Sequence, residues 1–217
     1  VSKEDFWESP ETELKVRASY GKTGNQDGIS NYGWQPLISG GANYGGISGI
    51  AISSKGNENL TWETADQYDA GFDLSFLKGK VSMMFDVYLK DTHNLLYNMP
   101  MHSTSGQTSM LSNIGSMRNK GIEFTLNTHM DIGKVHWSSS FNISHNENTL
   151  TKLVGDDIVN IGSNHALKVG EEVGSFYLLR WDGIYQYDGE VPSGEYGMGV
   201  RAGDMKYYDA DGNGIIN

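Results

Sequence analysis

Residues 61–90, TWETADQYDAGFDLSFLKGKVSMMFDVYLK, decide the fold class. One parity of the first half carries Tyr68, Ala70, Phe72, Leu74 and Phe76, and the other carries Glu63, Gln67, Asp69, Asp73 and Ser75. After Lys78-Gly79 the same alternation resumes, with Val81, Met83, Phe85, Val87 and Leu89 against Ser82, Met84, Asp86, Tyr88 and Lys90. Successive side chains of a strand point to opposite faces, so period two means a strand with one apolar and one polar face. Two such strands joined at Lys-Gly form a hairpin.

Working outward, three more runs share this period. Leu14, Val16, Ala18 and Tyr20 alternate with Lys15, Arg17 and Ser19. Ile122, Phe124, Leu126, Thr128 and Met130 alternate with Glu123, Thr125, Asn127 and His129. Val135, Trp137, Ser139, Phe141 and Ile143 alternate with His136, Ser138, Ser140, Asn142 and Ser144. The expected strands are about 12–22, 61–77, 80–97, 119–130 and 135–149, with long connections at 23–60, 98–118 and 150–217. No helical period is found.

The apolar face of each of the last four strands spans nine residues. At a tilt of about 45° nine residues rise roughly 20 Å, close to the ~25 Å lipid-facing band of an outer-membrane barrel. One step beyond that face stand Asp66, Asp91, Lys120 and His145, all at the end that bears the long connections. Short turns at one end and long loops at the other are the habit of such barrels. Tyr20, Trp62 and Tyr97 fall near strand ends, where aromatic girdles form, although strands carry such residues anyway. The expected fold is an all-β, antiparallel transmembrane barrel segment that crosses five times. The first strand rises towards the loops, and 150–217 is one extracellular excursion.

The two tight turns predict registers. Pairing Leu77 with Lys80 sets Phe76 opposite Val81 and Gln67 opposite Lys90. Pairing Met130 with Val135 sets His129 opposite His136, a pair that could bind a metal or titrate, or simply face the lumen.

Bulk properties restrict function further. The net charge of −11 argues against nucleic acid and anionic lipid as principal partners. Cys is absent, so disulfides and thiolate metal sites are excluded. No catalytic constellation stands out, so no enzyme is expected. Both termini read as cuts through a longer protein.

The sharpest local motif is Asp209-Ala210-Asp211-Gly212-Asn213-Gly214-Ile215-Ile216-Asn217, which matches the first nine positions of a calcium loop. Asp209, Asp211 and Asn213 would give side-chain oxygens, Ile215 its carbonyl, and Asn217 a water-mediated contact. The bidentate acid of such loops would stand three residues further on. The competing reading is an Asp/Asn/Gly turn satisfied by its own hydrogen bonds, and it is the stronger one for this chain alone. Calcium is the only cofactor to consider.

Five ordered blocks carry a resemblance: residues 14–26 (LKVRASYGKTGNQ), 59–76 (NLTWETADQYDAGFDLSF), 103–124 (STSGQTSMLSNIGSMRNKGIEF), 170–187 (GEEVGSFYLLRWDGIYQY) and 203–216 (GDMKYYDADGNGII). Together they resemble the barrel of SusC/RagA-type TonB-dependent transporters, including an N-x-G-x-x-x-N-K-G strand opening at Asn113–Gly121. The resemblance implies a plugged barrel of roughly 22 strands that imports glycans or peptides, works with a SusD-like surface lipoprotein and draws energy through TonB. It places the protein in the outer membrane of a Gram-negative bacterium, with no nucleic-acid partner. Glu63, Asp69, Asp73, Asp86 and Glu123 would then make an acidic lumen face. Loop aromatics Tyr32, Trp34, Tyr44, Trp181, Tyr185 and Tyr187 would stack on ligand or fill loop cores. The rival from another class is a soluble β-rich module that binds carbohydrate or adheres with calcium.

Overall fold

The computed structural model describes residues 11–155, 157–160, 164–210, 212–213 and 216. The chain divides into two compact units, one of residues 1–157 with 167–173 and the other of 158–166 with 174–217.

The first unit is built on long strands. In chain order they are β1 (Glu13–Asn25), a short hairpin of β2 (Leu37–Gly40) and β3 (Ile50–Ser54), then β4 (Glu63–Phe76), β5 (Val81–Pro100), β6 (Ser109–Ile132) and β7 (Val135–Leu153). Five of them form one antiparallel sheet in the order β1-β4-β5-β6-β7. The sheet does not close on itself, so β1 and β7 are its edges. Backbone bonds from Leu150 N to Glu171 O (2.9 Å) and from Gly170 N to Leu150 O (2.8 Å) lay residues 170–171 along the loop end of β7.

The first predicted register is the observed one, with Phe76 opposite Val81 and Gln67 opposite Lys90. Lys78 (φ 57°) and Gly79 (φ 82°) both take positive φ, and Lys80 N bonds Leu77 O at 3.3 Å, the geometry that matches strand twist in a tight hairpin. The second register differs by two residues. Ile132 pairs with Val135 and Met130 with Trp137, so the connection is Gly133-Lys134 alone. Gly133 at φ 65° supplies the left-handed position such a loop needs. His129 therefore faces Ser138, and His136 faces Asp131; the expected His–His pair does not form. A slip of two leaves every side chain on its face, which is why alternation could not detect it.

Strand lengths also differ from expectation. β6 starts at Ser109, not near 119, so the middle loop shrinks to 101–108. The cause is a change of parity. Register shifts at His93/Leu95/Leu96 on β5, around Asn94 at φ 58°, and at Ser116/Met117 between β6 and β7 interrupt the period of two.

Outward residues meet outward residues across the whole sheet: Val16 with Phe72, Phe72 with Phe85, Phe85 with Phe124 and Phe124 with Ile143. Many of them are open, among them Val16 (61%), Phe141 (54%) and Ile143 (58%). What little core the first unit has lies at Ala65, Ile114 and Leu150 towards the loop end and at Val81 beside the turn. Among the described residues no helix is long and apolar enough to cross a membrane, which says nothing against crossing by strands.

The second unit replaces the single long excursion expected over 150–217 with short elements. They are β8 (Ile158–Asn160), β9 (His165–Leu167), β10 (Ser175–Phe176), β11 (Trp181–Ile184), a 3-10 turn at Asp188–Glu190, α1 (Ser193–Gly197) and β12 (Met205–Tyr207). β10-β9-β8 form one small sheet, and β11 pairs with β12. Tyr185 and Val191 are buried in this unit.

Candidate functional site

The inward parity of the sheet carries its polar chemistry. Arg17 on β1 pairs with Gly71 on β4, and Gly71 pairs with Asp86 on β5. The Arg17 guanidinium crosses over Gly71 and donates to Asp86 Oδ2 at 3.0 Å, while also donating to Asp73 Oδ1 at 2.8 Å. A Cβ at position 71 would stand 2.1 Å from Asp86 Oδ1 and 2.6 Å from the Phe85 carbonyl, so the bridge requires glycine there. Lys15 lies 3.9 Å from Asp73. Glu123, in register beside Asp86, has no ion pair among the described residues. These groups border an open cleft of about 360 Å³ together with Met84 and Thr125.

The expected acidic lumen face is thus partly neutralised by Arg17, and its acids do different work. Asp69 accepts from Ser19 (3.1 Å) and Gln67 (3.0 Å). Glu63 binds main chain and loop: Leu96 N donates to one carboxylate oxygen at 2.8 Å, and Asn25 Nδ2 to the other at 3.1 Å.

On the outward parity, charge is confined to the loop end. Lys22, Asp66, Asp91 and Arg118 form a single cross-strand row. Asp66 and Asp91 are direct neighbours, which is unfavourable unless each has its own cation. Asp66 has the Lys22 ammonium at 3.6 Å as its cation, lies 3.6 Å from the His93 ring, and accepts from the Tyr20 hydroxyl at 2.8 Å. Asp91 takes a forked pair from Arg118, at 2.7 and 2.9 Å. One step below, Lys120 meets Glu147 at 3.1 Å. His145 sits lower still, opposite Ile122.

The Asn113–Gly121 motif acquires a physical meaning. The Asn113 side chain accepts from Thr61 N and donates to Thr61 O, both at 2.8 Å, and donates to Asn94 O at 2.7 Å. One amide thereby pins the loop before β4 to the bulge of β5. Gly115 admits the Lys152 carbonyl, which would lie 2.0 Å from a Cβ. Gly121 lies under the Tyr88 ring, 2.6 Å from where its Cβ would be, and the Tyr88 hydroxyl donates to Asn146 Oδ1 at 2.7 Å. Asn57 Nδ2 donates to Leu111 O on β6 at 3.0 Å, and Gln107 Nε2 to Ile52 O on β3 at 2.8 Å, so the connections at this end are tied to neighbouring strands. Gly71 and Asn113 were silent in the residue pattern. Only the spacing of the motif pointed to Asn113.

The loop aromatics separate. Tyr32, Trp34, Tyr44, Trp181 and Tyr187 are exposed, whereas Tyr185 is core and cannot meet a ligand. Burial, and then the hydrogen bond to Glu195 Oε2 at 3.1 Å, push the Tyr185 phenol above its ordinary value. Among the calcium-loop residues, Asp209 Oδ1 accepts from Gly212 N at 2.8 Å, a local turn bond. Asp211, Ile215 and Asn217 lie outside the described residues, so the arrangement of that loop is not described. His129 and His136 are near the two tight turns, where His129 Nδ1 meets Ser138 Oγ at 3.1 Å and His136 Nδ1 meets Asp131. No group of three or more candidate metal ligands occurs among the described residues.

A wall apolar outside, polar inside and ringed by ion pairs at its loop end can now be set beside known proteins. The family "TonB dependent receptor-like, beta-barrel" matches residues 7–216. The chain belongs to this family. TonB-dependent receptor P26 of Formosa agariphila is 34% identical over 100% of the chain and 23% of the relative. TonB-dependent receptor SusC of Bacteroides thetaiotaomicron is 30% identical over 95% of the chain and 21% of the relative. A chain of the RagAB peptide transporter superposes with a TM-score of 0.79 at 27% identity, covering 97% of this chain and 23% of that one. The resemblance to SusC/RagA transporters is therefore borne out, and so is the antiparallel barrel wall. The chain spans about a quarter of the length of these receptors.

Proposed function

We propose that the chain is part of the wall of an outer-membrane importer that takes up oligosaccharides or peptides, works with a SusD-like surface lipoprotein and is driven through TonB. The observation that carries this reading is the two-sided sheet. Its outward apolar row is open to the surroundings, and its inward face holds the Arg17–Asp73–Asp86 network. A soluble domain would cover such a row with a second layer, whereas lipid covers it in a barrel. The kinship with SusC and with the RagAB peptide importer supports nutrient import as the task. In this reading the exposed rings of Tyr32, Trp34 and Tyr44 at the loop end are available to ligand or lipoprotein, and no catalysis is involved.

The test is growth of the source bacterium with the full-length gene deleted, on oligosaccharides and on oligopeptides as sole carbon source. Growth should fail on one class, and loss of TonB should reproduce the failure. Unchanged growth and uptake on every such substrate would refute importer function.

We also propose that Asp209, Asp211, Asn213, the Ile215 carbonyl and Asn217 hold calcium as a structural clip in the full-length protein. The ligand spacing supports this reading. Calorimetry of the full-length protein should register calcium binding that Asp209→Ala and Asp211→Ala weaken; no binding removes the proposal.

A further inference from the structure

Charges on the outward face pair off at the loop end. Lys22, Arg118 and Lys120 are matched there by Asp66, Asp91 and Glu147, so these six cancel. The next outward position beyond Lys22 is Gly24, opposite Thr64. A Cβ on Gly24 would stand 3.4 Å from the Trp62 ring, so the indole lies against the outward side of β1, just past the charged row. More than half of the Trp62 surface is open.

The chain leaving β1 turns beside this ring. Asp27 N donates to Asn25 Oδ1 at 3.0 Å, Ile29 N donates to Gln26 O at 3.1 Å, and Gly28 takes φ 92°. The turn is thus closed by its main chain and by Asn25. The side chains of Gln26, Asp27 and Asn31 are left without a hydrogen bond or ion pair among the described residues. With Ser30 and Trp62 they border a cleft of about 340 Å³, whose lining holds one carboxylate and no cation.

An indole at a membrane edge marks depth and nothing more. A free carboxylate and two free amides beside it make a binding site. A pyranose ring fits that set: its C–H face lies on the indole, and its hydroxyls donate to Asp27 and exchange hydrogen bonds with Gln26 and Asn31. A phosphate does not fit, because no cation meets it and Asp27 repels it. An acyl chain would strand the free polar groups.

We propose that this cleft holds a sugar ring of the glycolipid in the outer leaflet. Its position decides the source of the sugar. The indole stands outside the wall at headgroup level, whereas an imported glycan passes along the inward face. The inference rests on the outer-membrane reading above, with the long loops on the extracellular side.

The test uses the full-length protein, delipidated in detergent and followed by native mass spectrometry. It is titrated separately with a rough lipopolysaccharide (lipid A carrying its core sugars) and with phosphatidylglycerol. Lipopolysaccharide should be retained in preference to phosphatidylglycerol. Trp62→Ala and Asp27→Ala should each weaken it about tenfold, while Trp137→Ala, which removes the outward indole at the turn end, leaves it unchanged. Each variant is first checked for a folded barrel by its gel-mobility shift on heating, and Asp27→Ala, in an exposed turn, serves if Trp62→Ala does not fold. Equal retention of the two lipids overturns the proposal, as does wild-type binding by folded Asp27→Ala or Trp62→Ala. Core oligosaccharide cut free of its acyl chains should compete only in large excess. Displacement at equal concentration assigns the cleft to soluble glycan and overturns the proposal. Orientation is read separately from Tyr44→Cys, an exposed position between β2 and β3, in a cysteine-free background with a membrane-impermeant maleimide. Labelling in intact cells supports the extracellular placement. Labelling only after the outer membrane is opened overturns the underlying orientation, whatever lipid binds.

Discussion

The two faces of this sheet carry ions of the same kinds under opposite rules. On the inward face Arg17, Asp73 and Asp86 meet midway along the strands. On the outward face, ion pairs are drawn up at the loop end, in the row from Lys22 to Arg118 and in the Lys120–Glu147 pair below it. The backbone is shared, so the medium on each side sets the rule. Water or polar protein tolerates a charge at any height in the lumen, whereas hydrocarbon tolerates one only near its edge.

The strongest way to break this contrast is to put a charge in the middle of the outward face. Leu126, which pairs with Met83 and Phe141, is the position to use. Leu126→Arg should destabilise the full-length barrel by about 2–4 kcal/mol in denaturant unfolding from lipid vesicles. A cost below about 1 kcal/mol would mean that this face does not meet hydrocarbon.

The inward face is tested at Gly71. Gly71→Ala forces a methyl group into the space of Asp86 Oδ1 and the Phe85 carbonyl. It should cost roughly 1–3 kcal/mol in the same measurement. Pairing it with Arg17→Met should cost less than the sum of the two single changes, since both act on one bridge. Strict additivity would separate the glycine from the ion network.

The smallest effect is expected at the rim. Arg118→Met removes the forked pair with Asp91, which is half-exposed, so the loss should be about 1 kcal/mol or less. It should shrink further in high salt. A loss that ignores ionic strength would place the row out of reach of water.

How much of this could be read from residues alone follows from what alternation encodes. It encodes faces, so the five strands, their outward rows and the Phe76–Val81 register were legible. It is blind to slips of two, so Asp131 and Ile132 looked like loop although Gly133-Lys134 closes the turn alone. It also fails wherever a bulge changes parity, and residues 109–118 fell outside the expected strand for that reason. The β2–β3 hairpin was hidden by the glycines around it, which mask a strand as readily as they mark a loop. Of the inward network, Asp73 and Asp86 were visible as lumen acids. The role of Gly71 was not, because it consists of a missing side chain that lets Arg17 reach over to the next strand.

The rim row has a further consequence for how the protein floats. Outward positions recur every two residues, so one step along a tilted strand moves the wall by about 5 Å relative to the bilayer. Sinking by that step would carry Lys22, Asp66, Asp91 and Arg118 towards the oil together, because they stand side by side at one height. An apolar band alone gives a shallow preference for immersion depth. A level row of charges acts as a waterline, with a restoring force that sets in across its whole width at once.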